Sequence, residues 1–118
     1  MGAARGCLRA PDAKAAVTVE PDPRFDALHP SGQILFRSCR GGYLHSVVLG
    51  ESTVDFGADD LVSAVLLTAR VSHLRAVMDI RRQIIDSGFT PSAELAAPRD
   101  LEAAEAELVN HRLVADSV

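Results

Sequence analysis

Four histidines, two cysteines and a run of carboxylates are the side chains of this sequence best suited to chemistry, and their spacing decides what they can do. His29, His45, His73 and His111 are scattered, and none has a second ligand-type residue at metal-binding spacing on the same face. His29 precedes a proline in a turn, and His45 falls in a strand-like run. His73 lies beside Ser72 in a helical stretch, where an interface or half-buried histidine is a simpler reading than a general base. Cys39-Arg40-Gly41-Gly42 sets a thiol beside an arginine and free backbone amides, the layout of an activated nucleophile. The same glycines serve a hairpin turn equally well. Cys7 and Cys39 share no CxxC spacing and read as reduced, incidental thiols. Glu102, Glu105 and Glu107 read as a solvated helix face. Phosphate-binding glycine loops, HExxH and GxSxG are absent from the sequence. No catalytic, cofactor-binding or metal-ligating residue is assigned, and an enzyme is not expected.

The elements that position these residues are organised around Gly57 to Gly88. Gly57 suits an N-cap, Asp59 and Asp60 meet the positive end of the helix dipole, and Gly88 suits the left-handed closing position, with Phe89 expected to pack back on the last turn. The stretch predicts one long amphipathic helix. Thr68, Ser72, Arg75, Asp79, Arg82 and Asp86 recur at spacings of three and four and form one polar stripe. Ala64, Leu67, Val71, Leu74, Met78 and Ile85 form an apolar line. A second line runs through Leu66, Val77, Ile80 and Ile84. This is more apolar surface than a core-facing arc of about 100° requires. The longest wholly apolar run, Ala64 to Leu67, is too short for a membrane span of roughly 20 residues, so no membrane insertion is expected.

Composition narrows the class. At 118 residues the chain is long enough for one domain with its own core, and 47% hydrophobic against 4% aromatic residues implies a core of Ala, Val, Leu and Ile. The net charge of −4 resides entirely in residues 89–118, which hold two arginines against six carboxylates. No segment carries the basic excess of a nucleic-acid face. Residues 1–30 lack the continuous apolar core of a signal peptide, and a cytoplasmic location is expected, with export by a dedicated system left open.

In chain order, residues 1–16 read as a flexible leader and 17–118 as a single domain. Val17 to Glu20 has strand character. Arg24 to Leu28 suits a short edge strand closed by Pro30-Ser31-Gly32. Gln33 to Ser38 and Leu44 to Leu49 flank a glycine-bearing loop and predict a β-hairpin. Thr53 to Phe56 is short and extended, a candidate third strand. Pro98 suits the first turn of a second helix running to about Val114, with Leu101, Ala104 and Leu108 as its apolar stripe.

The stretch HPSGQILFRSCRGGYLHSVVL, followed by DDLVSAVLLTARVSHLRA, resembles the EspD/EspH group of mycobacterial type VII (ESX) secretion-associated proteins, with a YbaB/EbfC-like fold. The shared pattern falls on Pro30, Gly32, Gly42, Val47, Leu49, Leu61 and Ala69, and a later stretch from Pro98 through Ala103-Ala104-Glu105-Ala106-Glu107 matches too. The resemblance covers residues 29–113. The chain departs from it at the N-terminus, where the YbaB pattern has a helix and EspD and EspH have longer acidic regions.

The expected fold is α+β, a small antiparallel sheet packed on one long helix with a shorter C-terminal helix. The resemblance implies a homodimer and a non-enzymatic adaptor or chaperone-like role in type VII secretion, with a secretion substrate or component as protein partner. Leu67, Val71, Leu74, Met78 and Ile85 are the expected partner or dimer interface. The alternative is a YbaB-like nucleoid-associated DNA binder. Arg37, Arg40, Arg70, Arg75, Arg81 and Arg82 would then contact phosphate, a reading the acidic C-terminal stretch disfavours. No cofactor is expected.

Overall fold

The computed structural model describes residues 20–113. The expected leader at 1–16, the strand character at 17–19 and Cys7 lie outside the described residues. Three strands, β1 (Ala27–Leu28), β2 (Ile34–Ser38) and β3 (Leu44–Leu49), form an antiparallel sheet in the order β1-β2-β3. The helix α1 spans Ala58–Asp86, and α2 spans Pro98–Asn110. The fold is α+β.

Alternation along β2 sets the layers. Ile34, Phe36 and Ser38 are buried while Leu35 and Arg37 are half-buried on the other face. Ile34 and Phe36 pack on Ala64 of α1, with Leu61, Val65, Ala69 and Leu113 around them. A second cluster joins Ala27, Val71, Leu74, Ala104 and Leu108, so α2 lies against α1 on the side away from β3. The hairpin turn needs Gly42 at φ +90°, where a side-chain Cβ would also come within 3.1 Å of the His73 ring.

The long helix starts at the Gly57 cap and ends as expected. The Gly88 amide donates to the Ile85 carbonyl and the Phe89 amide to the Ile84 carbonyl, with Gly88 at φ +91°, which is a Schellman closure. Phe89 does not pack back on the last turn: it is 71% exposed. The candidate third strand is also corrected. Glu51–Asp55 forms a 3-10 turn, because the Thr53 amide and hydroxyl both find the Gly50 carbonyl and tighten the chain.

Half of the polar stripe of α1 faces inward, while Arg75 is half-buried and Arg82 and Asp86 are exposed. Thr68 and Ser72 are fully buried and Asp79 nearly so. The Ser72 hydroxyl donates to the Phe25 carbonyl at 2.8 Å and therefore accepts from the Ser38 hydroxyl at 2.5 Å. Thr68 closes on the Ala64 carbonyl one turn back. By length and hydropathy alone α1 could cross a membrane. Here it is the helix on which both the sheet and α2 pack.

Candidate functional site

Two surfaces of the fold combine apolar area with an arrangement capable of recognition. The first is a trough between α1 and α2 of about 510 Å³. Met78 and Ile85 from α1 and Pro98 and Leu101 from α2 form its floor. Arg81 and Arg82 of α1 and Glu102 and Glu105 of α2 also line it, with Arg82 beside Asp79 and Glu105 bridged to Arg75. Helical periodicity explains the placement: residues 78, 81, 82 and 85 share one face, as do 98, 101, 102 and 105. Arg75 bridges to Glu105 at 2.9 Å and also donates to the Asp26 carbonyl, fixing α2 to α1 and to the start of β1. Arg81 donates to the Ala96 carbonyl in the approach to α2.

The second surface is β3. All its large apolar residues are exposed: Leu44 by 42%, Val47 by 44%, Val48 by 54% and Leu49 by 48%. Register fixes which face each occupies. Leu49 pairs with Ile34 and Val47 with Phe36 on the helix side, while Val48 pairs with Leu35 on the outer side. Because α1 lies over β1 and β2, it leaves Val47 and Leu49 half-covered.

The structure divides the expected interface line. Val71 and Leu74 are buried in the chain's own core against Ala104 and Leu108, and Leu67 packs at its margin. These three are corrected as intramolecular contacts, because α2 occupies the face that the helix pattern left open. Met78 and the 52%-exposed Ile85 remain, on the trough floor.

The arginines considered for phosphate contact do not form one cluster: Arg81 and Arg82 line the trough, Arg37 and Arg75 meet at Asp26, and three of the six stand beside carboxylates. Arg37 lies by Asp26 at 3.4 Å, Arg75 by Glu105, and Arg82 by Asp79. Arg40 and Arg70 are exposed, one on the hairpin and one on α1. Asp79 also accepts from Gln83 and faces Arg24 at 3.7 Å, which holds the Pro23–Phe25 turn against α1. The Arg24 guanidinium and amide beside Asp22 hold its carboxyl at about 2.

The histidines take structural positions. His29 is fully buried. The Ser31 amide donates to its Nδ1 at 3.0 Å, so that nitrogen carries no proton, and Nε2–H donates to Nδ1 of His111 at 3.0 Å. Burial, then the neighbouring His111, push the His29 pKa below its ordinary 6.5. Eighty-two residues separate the pair, so no local pattern reveals it. His73 donates from Nδ1 to the Gly42 carbonyl and ties the hairpin to α1. The His45 ring lies 2.9 Å from the adjacent Ser46 hydroxyl. Cys39 is fully buried and disulfide-bonded, correcting the expectation of a reduced thiol. Among the described residues no group of three or more histidine, cysteine or carboxylate side chains is placed to share a metal ion.

Comparison with known proteins places the chain in a family. The uncharacterized protein Rv0028 of Mycobacterium tuberculosis is 48% identical over 94 residues, which cover 80% of this chain and 93% of that relative. The uncharacterized protein Mb0029 of Mycobacterium bovis matches to the same extent. No solved structure matches. Residues 18–114 match the DUF2694 family, described as a protein of unknown function. The chain therefore belongs to the DUF2694 family.

Proposed function

We propose that this protein is a non-enzymatic, homodimeric protein-binding adaptor that serves type VII secretion. The observation that carries the recognition role is the trough between α1 and α2, lined by Met78, Ile85, Pro98 and Leu101 with arginines contributed by α1 and glutamates by α2. Apolar floor area supplies binding energy, and opposite charges on the two helices set the direction in which an amphipathic helix lies. A partner helix with apolar residues at spacings of three and four, acidic on one flank and basic on the other, fits this geometry. The relatives in mycobacteria agree with the source that the EspD/EspH-like sequence pattern implies, and that pattern is what supports the secretion context and a YbaB-like topology.

DNA binding has less in its favour. Three of the six arginines it would use stand beside acidic groups, and counterion release requires clustered free cations.

A photo-crosslinking residue at Ile85, introduced in mycobacterial cells that carry a type VII system, tests the reading. A crosslink to a substrate or component of that system is expected, and Met78→Glu should abolish it. Adducts to nucleic acid, or none, would overturn it.

A further inference from the structure

We propose that residues 111–113 form an acid-released strap: as pH falls His111 parts from His29, and Leu113 leaves the core while the rest of the chain stays folded.

The strap begins where α2 ends. The His111 amide donates to the Leu108 carbonyl, and His111 itself is extended, at φ −79° and ψ 137°. The chain then runs back to the sheet, and Leu113 packs against Ile34, Phe36 and Ala64. Two contacts thus hold the segment, a polar one at His111 and an apolar one at Leu113. Both residues are half-buried, and Arg112 between them is exposed. A short segment held by so few contacts opens at far lower free energy than the whole fold.

His29 is held more firmly. Its amide donates to the Ile34 carbonyl and its carbonyl accepts from the Gly32 amide, so the turn after β1 fixes the residue. Its ring is fully buried, and the His111 ring meets it edge-on, with centroids 5.2 Å apart and planes at 80°.

The hydrogen bonds through this pair leave no room for another proton. The Ser31 amide donates to His29 Nδ1, and His29 Nε2–H donates to His111 Nδ1, each at 3.0 Å. The Ser31 hydroxyl, 2.9 Å from the same His29 nitrogen, accepts from the Gln33 amide. One more proton, on Nδ1 of either ring, sets two N–H groups against each other.

Nothing nearby offsets the charge. Among the described residues neither ring has an ion pair with a carboxylate. Arg75 of α1 and Glu105 of α2 line the cavity beside Leu28 and Pro30, and they are bridged to each other. Arg112 is turned to the Val109 carbonyl. A charged His29 therefore has neither counter-ion nor water, and burial holds its pKa below the ordinary 6.5. His111 is the side that yields. Lifting it opens the His29 ring to water, whereas moving His29 would break the turn.

The direction follows from linkage. A lowered folded pKa means that the closed strap is fully favoured above pH 6.5 and loses ground below it. The ratio of released to closed strap should rise about tenfold for each pH unit between 6.5 and the folded value.

Methyl NMR spectra of the full chain between pH 7.5 and pH 5 test the proposal. The Leu113 methyl signals should move to the positions of an exposed leucine while those of Leu74 and Leu108 stay in place. His29→Gln tests the cause. Its amide group turns NH2 towards neutral His111 or its carbonyl towards the charged form, so Leu113 should stay closed throughout. Leu113 signals that do not move in the wild type, or that move only together with Leu74 and Leu108, would overturn the strap. Equal movement in His29→Gln would overturn the role of His29.

Discussion

Ser72 occupies a position in which one hydroxyl answers for two other polar groups. Its side chain satisfies the buried Phe25 carbonyl and receives the Ser38 hydroxyl, so Ser72→Ala orphans both partners. The expected cost is about 1–3 kcal/mol in urea unfolding, against under about 0.5 kcal/mol had this stripe faced water. Gly42→Ala should also destabilise, by about 1 kcal/mol or more, since it strains a positive φ and meets the His73 ring. His29 makes the fold pH-sensitive. Its folded pKa is lowered, so the unfolded chain binds more protons as pH drops below 6.5. The stability held by neutral His29 is complete above that pH and is lost as pH falls through it towards the folded value. Melting temperature should therefore drop between pH 7.5 and 5.5, and His29→Gln should flatten that dependence.

At the scale of elements, α2 is the piece that completes the core. It takes up Val71 and Leu74, so Leu74→Ala and Leu108→Ala should each cost about 2–4 kcal/mol. That cost should be independent of protein concentration, as suits a contact within one chain. Ile85→Ala, on the trough floor and half-exposed, should cost under about 1 kcal/mol. Much at this scale was legible in the residues: alternation marked β2 and β3, Gly57 and Gly88 bracketed α1, and Pro98 opened α2. The orientation of α1 was not. A stripe of Thr, Ser and Asp looks solvated until the fold brings Phe25, Ser38 and Arg24 against it, and those partners lie 34 to 55 positions away in sequence. The same long range hid the His29–His111 pair and the partition of the apolar line between core and trough. Local pairing also outweighed β-propensity at Thr53, whose hydroxyl turned a candidate strand into a 3-10 turn.

For the whole molecule, the core is shared among the sheet, α1 and α2, while apolar surface is left over in two places, the trough and the β3 edge. The homodimer we propose would cover part of such surface by contact with a second copy. The most direct test is the solution mass of the wild-type chain by light scattering at micromolar concentration, at low and at high salt. Apolar and backbone contacts are weakly screened, so twice the monomer mass is expected at both. A monomer at both, or a dimer that dissolves as salt rises, would contradict it.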